Sequence, residues 1–170
     1  MKDLNYRNII LWRHADAEPL AELEDQDSAR PLSKKGLKQA EKMADWLLNN
    51  MPKNTVIISG NAIRAKQTAQ ALKREYIVYA SLAPGATLET VLDTLGNLPK
   101  NNLPCESLLV IGHQPWLGLL AAQLLNLPQL LPKNAKEISI KKGAVWWFKQ
   151  PILQKNQPFK LHAVQAPSLL

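Results

Sequence analysis

The stretch Ile9-Ile10-Leu11-Trp12-Arg13-His14-Ala15-Asp16 decides how the rest of the chain is read. Four apolar residues run straight into an arginine, a histidine, a small residue and an aspartate. A short apolar run with β-branched side chains reads as a strand buried on both faces, as in a parallel sheet. In an open α/β sheet, ligands gather outside the carboxyl ends of the strands. Arginine and histidine at that place put a phosphate binder beside a candidate nucleophile. The same pair also fits a plain strand end, with a salt-bridged arginine and a histidine that only packs. Context from the rest of the chain has to choose between the two.

Ser107-Leu108-Leu109-Val110-Ile111-Gly112-His113 repeats the design, ending again in a small residue and a histidine. Between the two lies Thr55-Val56-Ile57-Ile58-Ser59, a further short buried strand, with Gly60-Asn61 as turn and helix cap. The helix after it is predicted over Ala62–Arg74, with Ile63, Ala65, Ala69 and Leu72 as packing positions. Arg64 falls in its first turn, where a cation gains nothing from the helix dipole. An anion held jointly by the helix N-terminus and the guanidinium explains it better.

The remaining segments supply the layers. The stretch Glu18–Arg30 is acidic and reads as a surface loop or ragged helix. Ser33 is a plausible N-cap, and Leu37, Ala40, Met43, Ala44, Leu47, Leu48 and Met51 recur at helical spacing as one apolar face until Pro52. A third strand is predicted over Tyr76–Ala80, a turn at Pro84-Gly85 and a short helix over Thr87–Leu95. Loops are predicted over Gly96–Pro104 and Gln129–Asn134, with a deeply packed helix over Trp116–Leu125 that has Pro115 at its start. Three strands are predicted to close the chain, at Glu137–Ile140, Ala144–Phe148 and Phe159–Val164. Strands alternating with helices at βαβ spacing predict a three-layer α/β/α fold around a mostly parallel sheet, as one domain over residues 1–170. Right-handed crossovers put the strand carboxyl ends on one rim, which would collect His14, Ser59 to Arg64, and His113.

Composition narrows the setting. Hydrophobic content of 46% is ordinary for a folded chain of 170 residues. Its apolar runs are too short to span a bilayer, and Met1-Lys2-Asp3-Leu4-Asn5 shows no signal-peptide core. The single cysteine, Cys105, rules out an internal disulfide and fits a reducing compartment, so a cytoplasmic location is expected. The net charge of +7 sits mostly from Leu108 onward, where seven lysines face one acid, Glu137. Lysines so placed read as a solvated face. Trp146-Trp147 between lysines could stack on bases, but at strand spacing the two point to opposite faces. Neither a nucleic acid nor a membrane is expected as partner.

Two arginines and a histidine around a second histidine suit a phosphoryl group. The guanidinium fork matches phosphate oxygens bidentately. A neutral imidazole can attack phosphorus in line and hold the group covalently until water releases it. Its far ring nitrogen then carries the proton, donated to a nearby carbonyl. Neither a metal nor another cofactor is required.

Arg13-His14, the segment Ser59-Gly60-Asn61-Ala62-Ile63-Arg64-Ala65-Lys66-Gln67-Thr68 and Ile111-Gly112-His113 together resemble the histidine phosphatase superfamily, with its phosphoglycerate-mutase-like fold. Arg30-Pro31-Leu32-Ser33 followed by Gly36, and the His113-Gln114-Pro115 turn, resemble its SixA-type branch of small phosphohistidine phosphatases. The resemblance covers about Ile9 to Phe148. It implies that His14 is the phosphorylated nucleophile, that Arg13 and Arg64 clamp the phosphate, and that His113 binds phosphate and stabilises the transition state. Arg30 is a further candidate contact, and Ser59 either shapes the pocket or only packs. The general acid is open among Asp16, Glu18 and Glu89. Ala15 stands where the superfamily usually has glycine, and Gly60-Asn61 replaces a proline-containing turn; neither change removes a reacting group. The resemblance implies a phosphorylated protein as substrate and an oxyanion in an open pocket, without the large cap insertions of sugar-phosphate relatives.

Other readings stay open at this point. One is a phosphomonoesterase for a small metabolite, and another a relative that binds phosphate without turnover. A metal hydrolase using His14, Asp16 and His113 has against it two arginines that would repel a cation.

Overall fold

A computed structural model describes residues 4, 6–19, 27–98, 106–127, 138–150 and 158–170. The chain builds β1 (Asn8–Arg13), α1 (Lys34–Asn50), β2 (Val56–Gly60), α2 (Ile63–Gln70), β3 (Ile77–Tyr79), α3 (Leu88–Gly96), β4 (Ser107–Gly112), α4 (Trp116–Leu124), β5 (Val145–Lys149) and β6 (Lys160–Gln165). Six strands form one sheet in the order β3-β2-β4-β1-β5-β6. The first four run parallel; β5 and β6 add an antiparallel edge.

Alternation along the central strands separates two cores. Ile9 and Leu11 of β1, with Leu108 and Val110 of β4, face α3 and α4. Ile10 and Trp12, with Leu109 and Ile111, face α1 and α2. Strands that are apolar at every position follow directly from helices on both faces. Among the described residues, no large insertion caps the rim at the strand carboxyl ends.

The register makes the rim. Arg13 pairs with Gly112, and Ser59 with Ile111, so β1, β4 and β2 run out level with one another. The residues that follow, His14 and His113, therefore leave adjacent strands at the same height.

Several expectations need correction. Ile138–Ile140 is not a strand, and Glu137 lies outside the described residues. The carbonyls of Ile138 and Ile140 accept instead from Gln114 Nε2 at 2.9 Å and Arg13 Nη1 at 2.6 Å, which leaves no ladder to build. α2 ends at Gln70, short of Arg74, because Lys73 takes a left-handed conformation with φ 51°. Its cap position is Ala62, not Asn61, and carries no side-chain cap bond. On α1 the buried stripe is Gly36, Ala40, Met43, Ala44 and Leu47; Leu37 and Leu48 are exposed beside it. The predicted stripe is too wide by one position on each side. Ser33 does cap α1, accepting from the Gly36 backbone N–H at 3.0 Å. Residues 99–104, Cys105 and Gln129–Asn134 lie outside the described residues.

Trp146 and Trp147 face opposite sides of the sheet, as their spacing predicts. Trp147 is buried and donates from its indole N–H to Asn8 Oδ1 at 3.0 Å. That indole is core, which removes a paired stacking platform.

Candidate active site

The rim gathers residues far apart in sequence. Arg13 and His14 come from the end of β1, Arg64 from the first turn of α2, and His113 from the end of β4. The rings of His14 and His113 lie 5.0 Å apart, centre to centre, tilted by 47°. Arg64 Nε–H points at His14 Nε2 from 3.4 Å. His14, Arg64 and His113 are all buried.

His14 has a defined tautomer. Its Nδ1 lies 2.8 Å from the carbonyl oxygen of Ala15, and a carbonyl can only accept, so Nδ1 carries the proton. Nε2 keeps its lone pair and looks into the site. Burial, and then the positive Arg64, Arg13 and Lys142, push the imidazole down to about 4, against the pull of the Ala15 carbonyl. The ring is therefore neutral at pH 7. His113 is pushed down to about 3 by burial first, then by His14 and Arg64. Among the described residues, neither of its ring nitrogens has a hydrogen-bond partner, and Arg13 Nε has none either. Buried polar atoms are rarely left so. Two unpartnered ring nitrogens and an unpartnered guanidinium N–H near a neutral imidazole describe a site suited to an oxyanion.

Neighbouring segments hold this arrangement. Arg13 is tied by Nη1 to the Ile140 carbonyl at 2.6 Å, and burial lowers its pKa from the usual value. Thr68, one turn after Arg64 on α2, accepts from the Ala15 N–H at 3.1 Å and donates to the Arg64 carbonyl at 2.7 Å. One hydroxyl thus locks the loop after His14 to the helix that carries Arg64. Gln67 accepts from the Leu32 N–H at 2.6 Å, and Gln39 from the Asp16 N–H at 3.0 Å. Ala15 packs with Leu32 and Ala40, so its methyl group lies in core rather than in the site. At the end of β2, a Cβ on Gly60 would meet the Leu82 carbonyl oxygen at 2.3 Å and His113 Nε2 at 3.5 Å. Glycine there lets β2 and the turn at Ala80–Leu82 close behind the second imidazole.

The other candidates sit apart from the imidazoles. Ser59 is fully buried and its hydroxyl donates to the Gly60 carbonyl at 3.0 Å. Asp16 accepts from Lys142 Nζ at 2.8 Å and Ser33 Oγ at 2.8 Å. The Lys142 bond above all holds its carboxyl below the ordinary value, so it stays ionised and has no proton to give. Glu18 and Glu89 are exposed. None of these three carboxylates hydrogen-bonds either imidazole. Arg30 reaches the Glu18 carbonyl at 2.7 Å and Asp27 Oδ1 at 2.7 Å. Sequence reasoning misses Asp27. Its Oδ2 accepts from Arg64 Nη2 at 2.5 Å, and its backbone carbonyl accepts from Arg64 Nη1. The only signal is its place three residues before Arg30, at the end of an acidic loop that has no periodicity to anchor a reading.

Comparison with known proteins gives the family and the fold. Residues 9–83 match the model of the histidine phosphatase superfamily, branch 1. An uncharacterised protein of Mycobacterium tuberculosis is 30% identical over 130 residues, covering 76% of this chain and 79% of its own. The chain belongs to the histidine phosphatase superfamily. The matched span carries Arg13, His14 and Arg64; His113 lies beyond it and is brought in by the fold. Among solved structures of superfamily members, the protein histidine phosphatase SixA complexed with tungstate aligns with a TM-score of 0.73 at 23% identity, covering 95% of this chain and 98% of that one. A protein designated SixA from Agrobacterium tumefaciens gives 0.73 at 23% identity over 95% and 99%. A mycobacterial glucosyl-3-phosphoglycerate phosphatase in complex with vanadate gives 0.63 at 16% identity over 94% and 99%. The fold, with no large cap among the described residues, is thus similar to that of the SixA structures.

Proposed function

We propose that this chain is a phosphatase that takes a phosphoryl group from protein phosphohistidine through a covalent phosphohistidine on His14. The observation that carries the reading is the neutral Nε2 of His14, facing Arg64 Nε at 3.4 Å, with the unpartnered His113 ring beside it. Nε2 attacks phosphorus as the bond from phosphorus to the substrate nitrogen breaks, and the substrate imidazole, protonated on its far nitrogen, leaves as the neutral ring. Arg13, Arg64 and His113 stabilise the charge on the equatorial oxygens, which is most of what phosphoryl transfer asks of a protein. Water then attacks the phosphorus on His14, the P–Nε2 bond breaks and returns its electron pair to the ring, inorganic phosphate leaves, and the water's proton passes to solvent. No step calls on a metal.

Phosphohistidine is favoured over an alkyl phosphate by the leaving group. None of Asp16, Glu18 and Glu89 hydrogen-bonds an imidazole of the site. A phosphoimidazole protonated on its far nitrogen departs as a neutral ring, without the proton donor at the scissile bond that an alkoxide needs. An open rim also admits a phosphorylated side chain of another protein. Steady-state kinetics on a phosphohistidine-bearing protein and on a sugar phosphate test this. The proposal expects kcat/KM for the phosphohistidine protein to exceed that for the ester by at least about a hundredfold, about 2.7 kcal/mol in the barrier. Equal or reversed values would make the enzyme a metabolite phosphatase.

A further inference from the structure

The two ends of the Arg64 guanidinium have different partners. Both Nη nitrogens, the tip of the fork, are held by Asp27: Nη2 by Oδ2 at 2.5 Å and Nη1 by the backbone carbonyl. Nε–H lies on the other edge and points at His14 Nε2 from 3.4 Å. The second hydrogen of Nη2 lies on that same edge. The pair Nε–H and Nη2–H is then a ready bidentate donor for two oxygens of a phosphoryl group bound at His14. Asp27 is itself held, since Oδ1 accepts from Arg30 Nη1 at 2.7 Å and Arg30 Nε reaches the Glu18 carbonyl at 2.7 Å. A line of contacts thus runs Glu18, Arg30, Asp27, Arg64, His14.

We infer that Asp27 is a positioning residue, which anchors the tip of the Arg64 fork and turns its Nε edge toward phosphate on His14. The inference rests on the phosphatase reading for its kinetic test, but not for its binding test. It gives Arg30 a role without phosphate contact, as the support of Asp27. It also gives the aspartate at the end of the acidic stretch of sequence a use beside the proposed anion site. That carboxylate does not occupy the edge that phosphate needs. An arginine side chain left to itself samples many rotamers, and misplacement by about 1 Å can cost roughly a hundredfold in rate. The opposite role, a carboxylate that competes with phosphate for Arg64, predicts the reverse sign in every measurement below.

Orthovanadate affinity is measured by calorimetry for the full chain, Asp27→Ala, Arg64→Ala and the double variant, with circular dichroism confirming each fold. Positioning predicts weaker vanadate binding by about tenfold in Asp27→Ala, and little further loss when Asp27→Ala is added to Arg64→Ala. Asp27→Asn, which keeps one acceptor for Nη2, recovers part of the loss. With phosphohistidine protein as substrate, Asp27→Ala lowers kcat more than it raises KM. Tighter vanadate binding, unchanged binding, or an equal loss with and without Arg64 would overturn the inference. If the wild-type chain binds vanadate with this coupling yet turns over no phosphohistidine, the role of Asp27 stands and the proposed reaction fails.

Discussion

The ends of β1 and β4 are built alike in sequence and used differently. Each is a buried apolar strand that delivers a histidine to the rim, and their register sets the two rings side by side. At the end of β1, the imidazole is held at both nitrogens, by the Ala15 carbonyl and by Arg64. At the end of β4, the imidazole of His113 has no hydrogen bond at either nitrogen among the described residues. The first ring is oriented before any substrate arrives and presents a lone pair in a fixed direction. The second is free to choose its tautomer and donate to whatever oxyanion comes. The proposed nucleophile and its proposed electrophilic partner are thus told apart by their hydrogen bonds and not by their residue type.

The strongest way to break this contrast is to remove each ring in turn. His14→Ala is expected to lower kcat by more than about a thousandfold, since the covalent route is lost. His113→Ala is expected to cost about a hundredfold, the loss typical of one donor to a developing oxyanion. Equal losses measured in single-turnover experiments would erase the distinction.

Backbone approach gives a second test, read as stability. A Cβ on Gly36 would lie 1.8 Å from the Asp16 carbonyl oxygen, behind the His14 arm, and one on Gly60 would lie 2.3 Å from the Leu82 carbonyl oxygen, behind the His113 arm. Both clashes are with backbone, so Gly36→Ala and Gly60→Ala should each destabilise by about 1–3 kcal/mol in urea denaturation. Gly60→Ala, 3.5 Å from His113 Nε2, should also lower kcat, whereas a surviving Gly36→Ala enzyme should keep most of it.

Acid provides a third. Both imidazoles are held below the free value of 6.5, to about 4 for His14 and about 3 for His113. Between those values the unfolded chain binds more protons than the folded one, so stability falls as pH drops below 6.5. Denaturation at pH 7 and at pH 4.5 should show that loss, and His113→Asn should reduce it. Asp16 and Asp27, whose carboxyls sit below 3.8, add to it only at lower pH. For Asp16 the cause is foremost the Lys142 bond; for Asp27 burial opposes, and the bonds to Arg30 and Arg64 prevail. A pH-independent stability from 7 to 4.5 would mean that the rings are not held neutral. The smallest effect belongs to Thr68, which serves the His14 arm alone. Thr68→Val removes the acceptor of the Ala15 N–H and should cost about 1 kcal/mol, with a modest fall in kcat.

The parallel core of the fold was legible because buried strands leave no choice of side chain. Ile9 to Trp12 and Leu108 to Ile111 have to be apolar on both faces, and helix periodicity sits between them. The rim followed from the same pattern, because parallel strands put their carboxyl ends together. What escaped was whatever depends on a partner distant in sequence. Ile138 and Ile140 look like strand residues, but their carbonyls serve Gln114 and Arg13. Thr68 looks like an ordinary helix residue until Ala15 is folded against it. Asp27 sits in a stretch of charged residues whose pattern resembles any solvated loop, and only the fold brings it to Arg64.

The most direct test of the account is to quench the enzyme during turnover of a phosphohistidine protein and locate phosphate on the chain by mass spectrometry at neutral or alkaline pH. The account predicts phosphate on His14 and none on His113. Phosphate on His113, or turnover with no phosphorylated enzyme in the quenched sample, would contradict it.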